Sequence, residues 1–227
     1  MSDTYYKLTD ERDRSFCDFH FQWGPHVTCE TNGMGPLGAS GWTHWYTHPL
    51  LAVLLNPIYG IMDQRTVHLW KGRCKGNVWR HYGLIVGCTR GTTLRRIEVP
   101  VLTQQNRVRF AIGCAWQVWP DGRWRRWAAR WLSGKDRSKP LVRLWKPIVW
   151  GRAAIDPAQV AAGWAMAAAA TTTKSELGGS LWRQSANAAR AAWFAAERAA
   201  VDETLIDLIA LAEWAVTDST EVPHARN

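Results

Sequence analysis

No two cysteines in this chain stand two residues apart, no phosphate-cradling glycine loop is present, and no apolar run reaches the eighteen or so residues of a membrane span. The five cysteines, Cys17, Cys29, Cys74, Cys88 and Cys114, are an odd number at irregular spacings. That excludes a zinc ribbon and a thioredoxin-type pair and reads as free thiols in a reducing compartment. The opening stretch, MSDTYYKLTDERDRS, lacks the apolar core of a signal peptide. The expectation is a soluble, cytoplasmic protein with no metal and no cofactor. Acidic residues are also scarce in one region. Residues 65–150 carry 19 basic and 3 acidic side chains, against 3 and 7 in residues 1–64 and 6 and 9 in residues 151–227. A basic middle between acidic ends points to an anionic or acidic partner.

Apolar residues make up 47% of the 227, enough for a real core, and 16 of them are tryptophan. Each tryptophan brings a large apolar area and one N–H that wants a partner. The densest segment is SGWTHWYTHPLLAVLLNPIYG, residues 40–60. Thr47 or His48 can cap a helix there, Pro49 suits its first turn, and Pro57 cannot continue it. Leu50, Leu51, Val53, Leu54 and Leu55 make that helix apolar almost all round, so it must be buried.

Period-two patterns dominate before Pro100. They predict strands over Tyr5–Leu8, Phe16–Trp23, Val27–Thr31, Val67–Trp79, Leu84–Thr89 and Thr93–Val99, with Arg90-Gly91 as a turn between the last two. Val27–Thr31 is expected to pair back on Phe16–Trp23. After Pro100 the period becomes helical. Thr103 and Asp121 cap two helices, the first with a stripe of Val108, Ala111, Ile112, Ala115, Trp116 and Trp119. The second repeats that spacing with Trp124, Trp127, Ala128, Trp131 and Leu132. Asp156-Pro157 starts an alanine-rich helix, and Ser180 starts another expected to run to about Val216 with Trp182, Trp193 and Trp214 along one side. The fold class is therefore α+β, a small antiparallel sheet with one buried helix followed by an all-α C-terminal half. Its expected regions are 1–100, 101–150 (basic Trp/Arg helices) and 151–227 (Ala/Trp-rich helices), the last inviting self-association into a homo-oligomer.

The segments YYKLTD, SGWTHWYTHPLLAVLLNPIYG, LIVGCTRGTTLRRIEVP, TQQNRVRFAIGCA and WLSGKDRS, in that order, resemble a family of uncharacterised phage and prophage proteins. Its members follow such a core with a variable Ala/Trp-rich helical tail, here AAGWAMAAAA and AARAAWFAAERAA. The chain departs from the family at Ala39 and in the arginine-rich segment 123–130. No activity comes with the resemblance. What it implies is a setting, an accessory gene of a mobile element whose product works inside the host cell, blocking host defence or redirecting host machinery.

Candidate sites are few. Arg123, Arg125, Arg126 and Arg130 interleave with Trp124, Trp127 and Trp131, a mixture that suits a phosphate backbone and stacked bases, or an acidic protein. Tryptophans at helical spacing are also ordinary core, which would leave the arginines on a solvated face. The expected contact residues are Trp124, Arg125, Arg126, Arg130 and Lys135, with Trp42, His44, Trp45, Tyr46 and His48 lining a pocket. His44 and His48, four apart, match a metal-gripping spacing, but Pro49 sets His48 at the helix start and leaves His44 in the preceding segment. Catalytic constellations are absent. The reading is a phage accessory protein that works by binding, occluding a host defence protein or ribonucleoprotein such as a CRISPR effector, or sequestering its signal. Its alternatives are a nucleic-acid-binding protein using residues 65–150, and an NAD- or nucleotide-dependent enzyme of ADP-ribosyltransferase-like type built around Tyr5 and His44.

Overall fold

The computed structural model describes residues 4–15, 21–37, 39–56, 66–137, 156–171 and 179–223. They divide into two compact units, Met1–Val101 and Leu102–Asn227. Most of the strand expected at 16–23 lies outside the described residues; its end contributes an isolated bridge between Arg14 and Gln22.

Among the described residues the first unit carries an antiparallel sheet of five strands: β1 (Tyr5–Thr9), β2 (Thr28–Glu30), β3 (Thr43–Trp45), β4 (His68–His81) and β5 (Ile85–Ile97). The order is β1-β4-β5-β2, with β3 also on β5. Thr28 lies opposite Thr92, so the 27–31 strand pairs with β5 and not with the 16–23 segment. Tyr6 and Tyr46 exchange two backbone hydrogen bonds of 2.8 Å, returning the outer edge of β1 to the end of β3. The sheet thus curls almost into a ring. Such closure hides strand edges that would otherwise invite another chain.

Trp45 fills the ring and is fully buried, with Trp23, Tyr5, Val86, Cys74 and Cys88 around it. Lys7 is buried among them, its ammonium 4.6 Å from the Trp23 ring centre and 5.5 Å from that of Trp45. It also donates to the His44 carbonyl at 3.1 Å, so ring faces and a carbonyl replace its lost water.

The ring explains a departure from the sequence reading. Arg90-Gly91 is no turn; β5 runs unbroken through it. A Cβ at Gly91 would sit 2.6 Å from Trp45 Nε1, and one at Gly72 would sit 2.4 Å from Trp45 Cζ3. Both glycines make room for the tryptophan. The turn comes earlier, at Tyr82 and Gly83, both at positive φ, closed by a hydrogen bond from Leu84 N to His81 O. Helix α1 (Pro49–Leu55) packs on β1, burying Leu51 to Leu55, and His48 Nδ1 caps it by accepting from Leu50 N.

The elements of the second unit among the described residues are helices: α2 (Gln104–Val118), α3 (Gly122–Leu132), α4 (Pro157–Thr171), α5 (Gly179–Val201) and α6 (Leu208–Ala215). Thr103 and Asn106 form a reciprocal capping box on α2, and Asp121 caps α3. Residues Arg107 to Ala115 are all buried, because α2 is the central helix, packed against α3, α4, α5 and α6. The expected stripe understated it. Helix α2, from the segment read as 101–150, thus packs on α4, α5 and α6, from the segment read as 151–227.

Alanines of α4 and α5 are buried against their neighbours. The long helix expected to reach Val216 ends instead at Val201. Glu203 takes a left-handed φ of 55°, and Thr204 N and Glu203 N bond back to the carbonyls of Ala199 and Ala200, a Schellman ending. Trp214 thus belongs to a separate helix, capped by Asp207. No described helix is long and apolar enough to cross a membrane.

Candidate polyanion-binding face

Strand β4 reads Lys71-Gly-Arg73-Cys-Lys75, and a period of two sends alternate residues to opposite faces. Gly72 and Cys74 face the interior, whereas Arg73 and Lys75 are exposed and Lys71 is half exposed. Across the ladder Lys71 stands opposite Arg95, Arg73 opposite Thr92 and Lys75 opposite Arg90. Like charges directly opposite destabilise a sheet. Bulges after Lys71 and after Lys75 preserve this alignment by absorbing the extra residues.

Several neighbouring cations are already engaged. Arg96 pairs with Asp13 and stacks on Trp70, Arg80 donates to the Tyr5 hydroxyl, and Arg90 meets Glu30 at 3.1 Å. Among the described residues no carboxylate pairs with Lys71, Arg73, Lys75 or Arg95. These four, with Thr4 and His26, line an open groove of about 670 Å³. That lies within the range of about 300–1,000 Å³ usual for ligand sites.

The residues singled out in the sequence separate into several places. Trp124 exposes 1% and its Nε1 donates to the Ala162 carbonyl, so its ring is core and not a contact surface. Arg125 is spent on structure: Nε donates to Trp119 O at 3.2 Å, a second nitrogen to Trp116 O at 3.3 Å, and the guanidinium stacks on Trp116. Arg123, Arg126, Arg130 and Lys135 are exposed and remain available on the helical unit.

The expected pocket is not assembled. Trp45 and Tyr46 are core, and His48 is a helix cap. Trp42 and His44 do line a cavity, but at about 40 Å³ it is room for ordered water, not for a nucleotide. Burial, aided by the nearby Lys7 charge, depresses the His44 imidazole to about 4, so it is neutral at pH 7. Tyr5 is buried with its hydroxyl bound by Arg80. Among the described residues no group of three His, Cys, Asp or Glu is placed to hold a metal.

One chemically unusual pair lies inside the ring. The Thr43 hydroxyl donates to the Cys88 carbonyl at 2.9 Å and lies 3.1 Å from the Cys88 sulfur, while the neighbouring Cys74 makes the Cys88 thiol more acidic and burial pushes Cys74 the other way. Cys88 is fully buried, so no substrate atom reaches its sulfur. Cys114 is pushed up by burial and is inert core.

Sequence reasoning named contact residues on α3 alone and reached β4 only through the basic balance of residues 65–150, without singling out its residues. The signal was present as Lys71, Arg73 and Lys75 at alternate positions of a strand. Comparison of the chain with family models, curated proteins and solved structures found no match.

Proposed function

We propose that this protein acts by binding, and that its ligand is nucleic acid held on the outer face of β4 and β5. The observation that carries this reading is the row of Lys71, Arg73, Lys75 and Arg95, without a carboxylate partner among the described residues, with Lys71 and Arg95 set against each other across the ladder. Two cations at one cross-strand position work against the fold. A phosphate between them turns that repulsion into two attractions, so the arrangement favours the bound state.

Four phosphate contacts on a single strand would give a slope of log affinity against log salt of about −3. The test is fluorescence anisotropy with labelled oligonucleotides over a salt series, comparing Lys71→Glu/Arg73→Glu with Arg126→Glu/Arg130→Glu on α3. The expected result is steep salt dependence, lost affinity in the first variant and near-normal affinity in the second. Weak binding that both variants reduce equally would reject the sheet face in favour of general basic attraction.

The resemblance to phage proteins supports a setting for such binding. An accessory protein that covers nucleic acid, or the nucleic-acid part of a ribonucleoprotein, could keep a host defence effector from its target or its signal. That setting is tested by recovering the effector's activity when the β4 variant replaces the unaltered protein.

A further inference from the structure

We infer that the face takes single-stranded nucleic acid, its backbone running along β4 past Lys71, Arg73 and Lys75 and a base stacked on Trp79. This rests on the reading of the sheet face as a nucleic-acid site. Alternate residues of a strand recur about every 6.6 Å, close to the separation of neighbouring phosphates along an extended nucleic-acid strand. The row of cations is also narrow. Neighbouring strands lie about 4.8 Å apart, less than the width of either groove of a duplex, about 12 and 6 Å, so Lys71 and Arg95 serve one sugar–phosphate line rather than two.

Trp79 lies beyond the bulge on the same outer side of β4, opposite Gly87. The inner side there carries Val78, packed on the core, and Arg80, engaged with Tyr5. Trp79 is 44% exposed, a large apolar ring left in solvent beside a row of charge. Its ring meets Trp42 edge-on at 5.9 Å. Trp42 is itself fixed, its Nε1 donating to Gly35 O at 3.1 Å. Gly87 lets Leu37 and Trp42 close over β5: a Cβ there would stand 2.2 Å from Leu37 Cδ1 and 3.3 Å from Trp42. One edge of Trp79 is thereby buttressed while nearly half of the residue remains open. A buttressed, exposed ring at the end of a cationic row is what binds unpaired bases without sequence preference. A paired base keeps its faces covered by its neighbours and cannot stack there.

The experiment compares labelled oligothymidylate, oligouridylate and a duplex of equal length, with inorganic polyphosphate and polyglutamate as competitors that lack bases. Trp79→Ala and Trp79→Phe are measured beside the unaltered protein, their folding checked by circular dichroism. The expected result is tighter binding of single strands than of duplex. Trp79→Ala should weaken oligonucleotide binding about 10-fold and Trp79→Phe much less, with polyphosphate competition unchanged in both. Either sugar behaving this way upholds the inference, and a difference between them identifies RNA or DNA. Equal binding of duplex, an unaffected Trp79→Ala variant, or polyglutamate competing as well as an oligonucleotide would overturn it. In the first two cases salt-dependent polyphosphate binding would still sustain the cationic face. No binding of oligonucleotide or polyphosphate would remove both.

Discussion

Lys71 and Arg95 are cross-strand partners on β4 and β5, and among the described residues neither has a carboxylate to neutralise it. If the face is kept for a ligand at the expense of the sheet, Arg95→Glu should relieve the repulsion and create a pair. The expected gain is about 0.2–1 kcal/mol in the unfolding free energy from urea titration at low salt, shrinking as salt is added, with oligonucleotide affinity falling. A variant less stable than the unaltered protein would show that the pair carries no such conflict.

Space for Trp45 depends on two glycines. Gly72→Ala would put a methyl group 2.4 Å from its ring, and Gly91→Ala one at 2.6 Å from its Nε1 and 2.7 Å from Thr43 Oγ1. Each should cost about 1–3 kcal/mol, since a packed ring interior yields poorly to added volume. Gly122→Ala, whose nearest neighbour is the end of the flexible Arg126 side chain, is the comparison and should cost far less. Equal denaturation curves for all three would disprove the close-approach account.

His44 titrates at about 4 in the folded protein against an ordinary value of 6.5. Between those values the unfolded chain binds a proton that the folded chain refuses. The stability due to neutral His44 is therefore complete above about pH 6.5 and declines as pH falls toward 4. Urea midpoints measured across that window should fall more steeply for the unaltered protein than for His44→Gln. Parallel slopes would mean that the imidazole is solvated.

Arg125 and Arg126 are neighbours with opposite duties. Removing Arg125 frees the carbonyls of Trp116 and Trp119 and unstacks Trp116, an expected loss of about 1–2 kcal/mol for Arg125→Ala. Arg126→Ala, at an exposed position, should change stability by no more than about 0.5 kcal/mol. Thermal unfolding of the two variants decides the matter, and a reversed order would contradict it.

Much of the architecture was legible because it rests on local rules. Thr103, Asp121 and Pro49 mark their helix starts by side-chain chemistry, and the change of period near Pro100 falls where strands give way to helices. What could not be read locally depended on distant partners. Gly91 looks like a turn until Trp45, 46 residues earlier, is seen to fill the space above it. The end of α5 carries no glycine signal, since Glu203 takes the left-handed position itself. The alternation at Lys71, Arg73 and Lys75 was visible in the sequence. Its meaning was not, because only the register sets Arg95 and Arg90 against it and only the fold shows which neighbouring arginines are already bound.

Arg109, buried in the middle of α2, reaches across to the far end of the unit. It donates to the carbonyls of Ala215, Trp214 and Ser219 and lies 4.5 Å over the Trp214 ring. Every one of those acceptors is translated more than a hundred residues after the arginine. While a ribosome is still extending the chain, α2 can form its own turns, but burying it would strand a guanidinium without acceptors. The helical unit is therefore barred from its final packing until the segment 214–219 has cleared the exit tunnel. Until then α2 lacks α6, one of the helices that bury it in the finished protein.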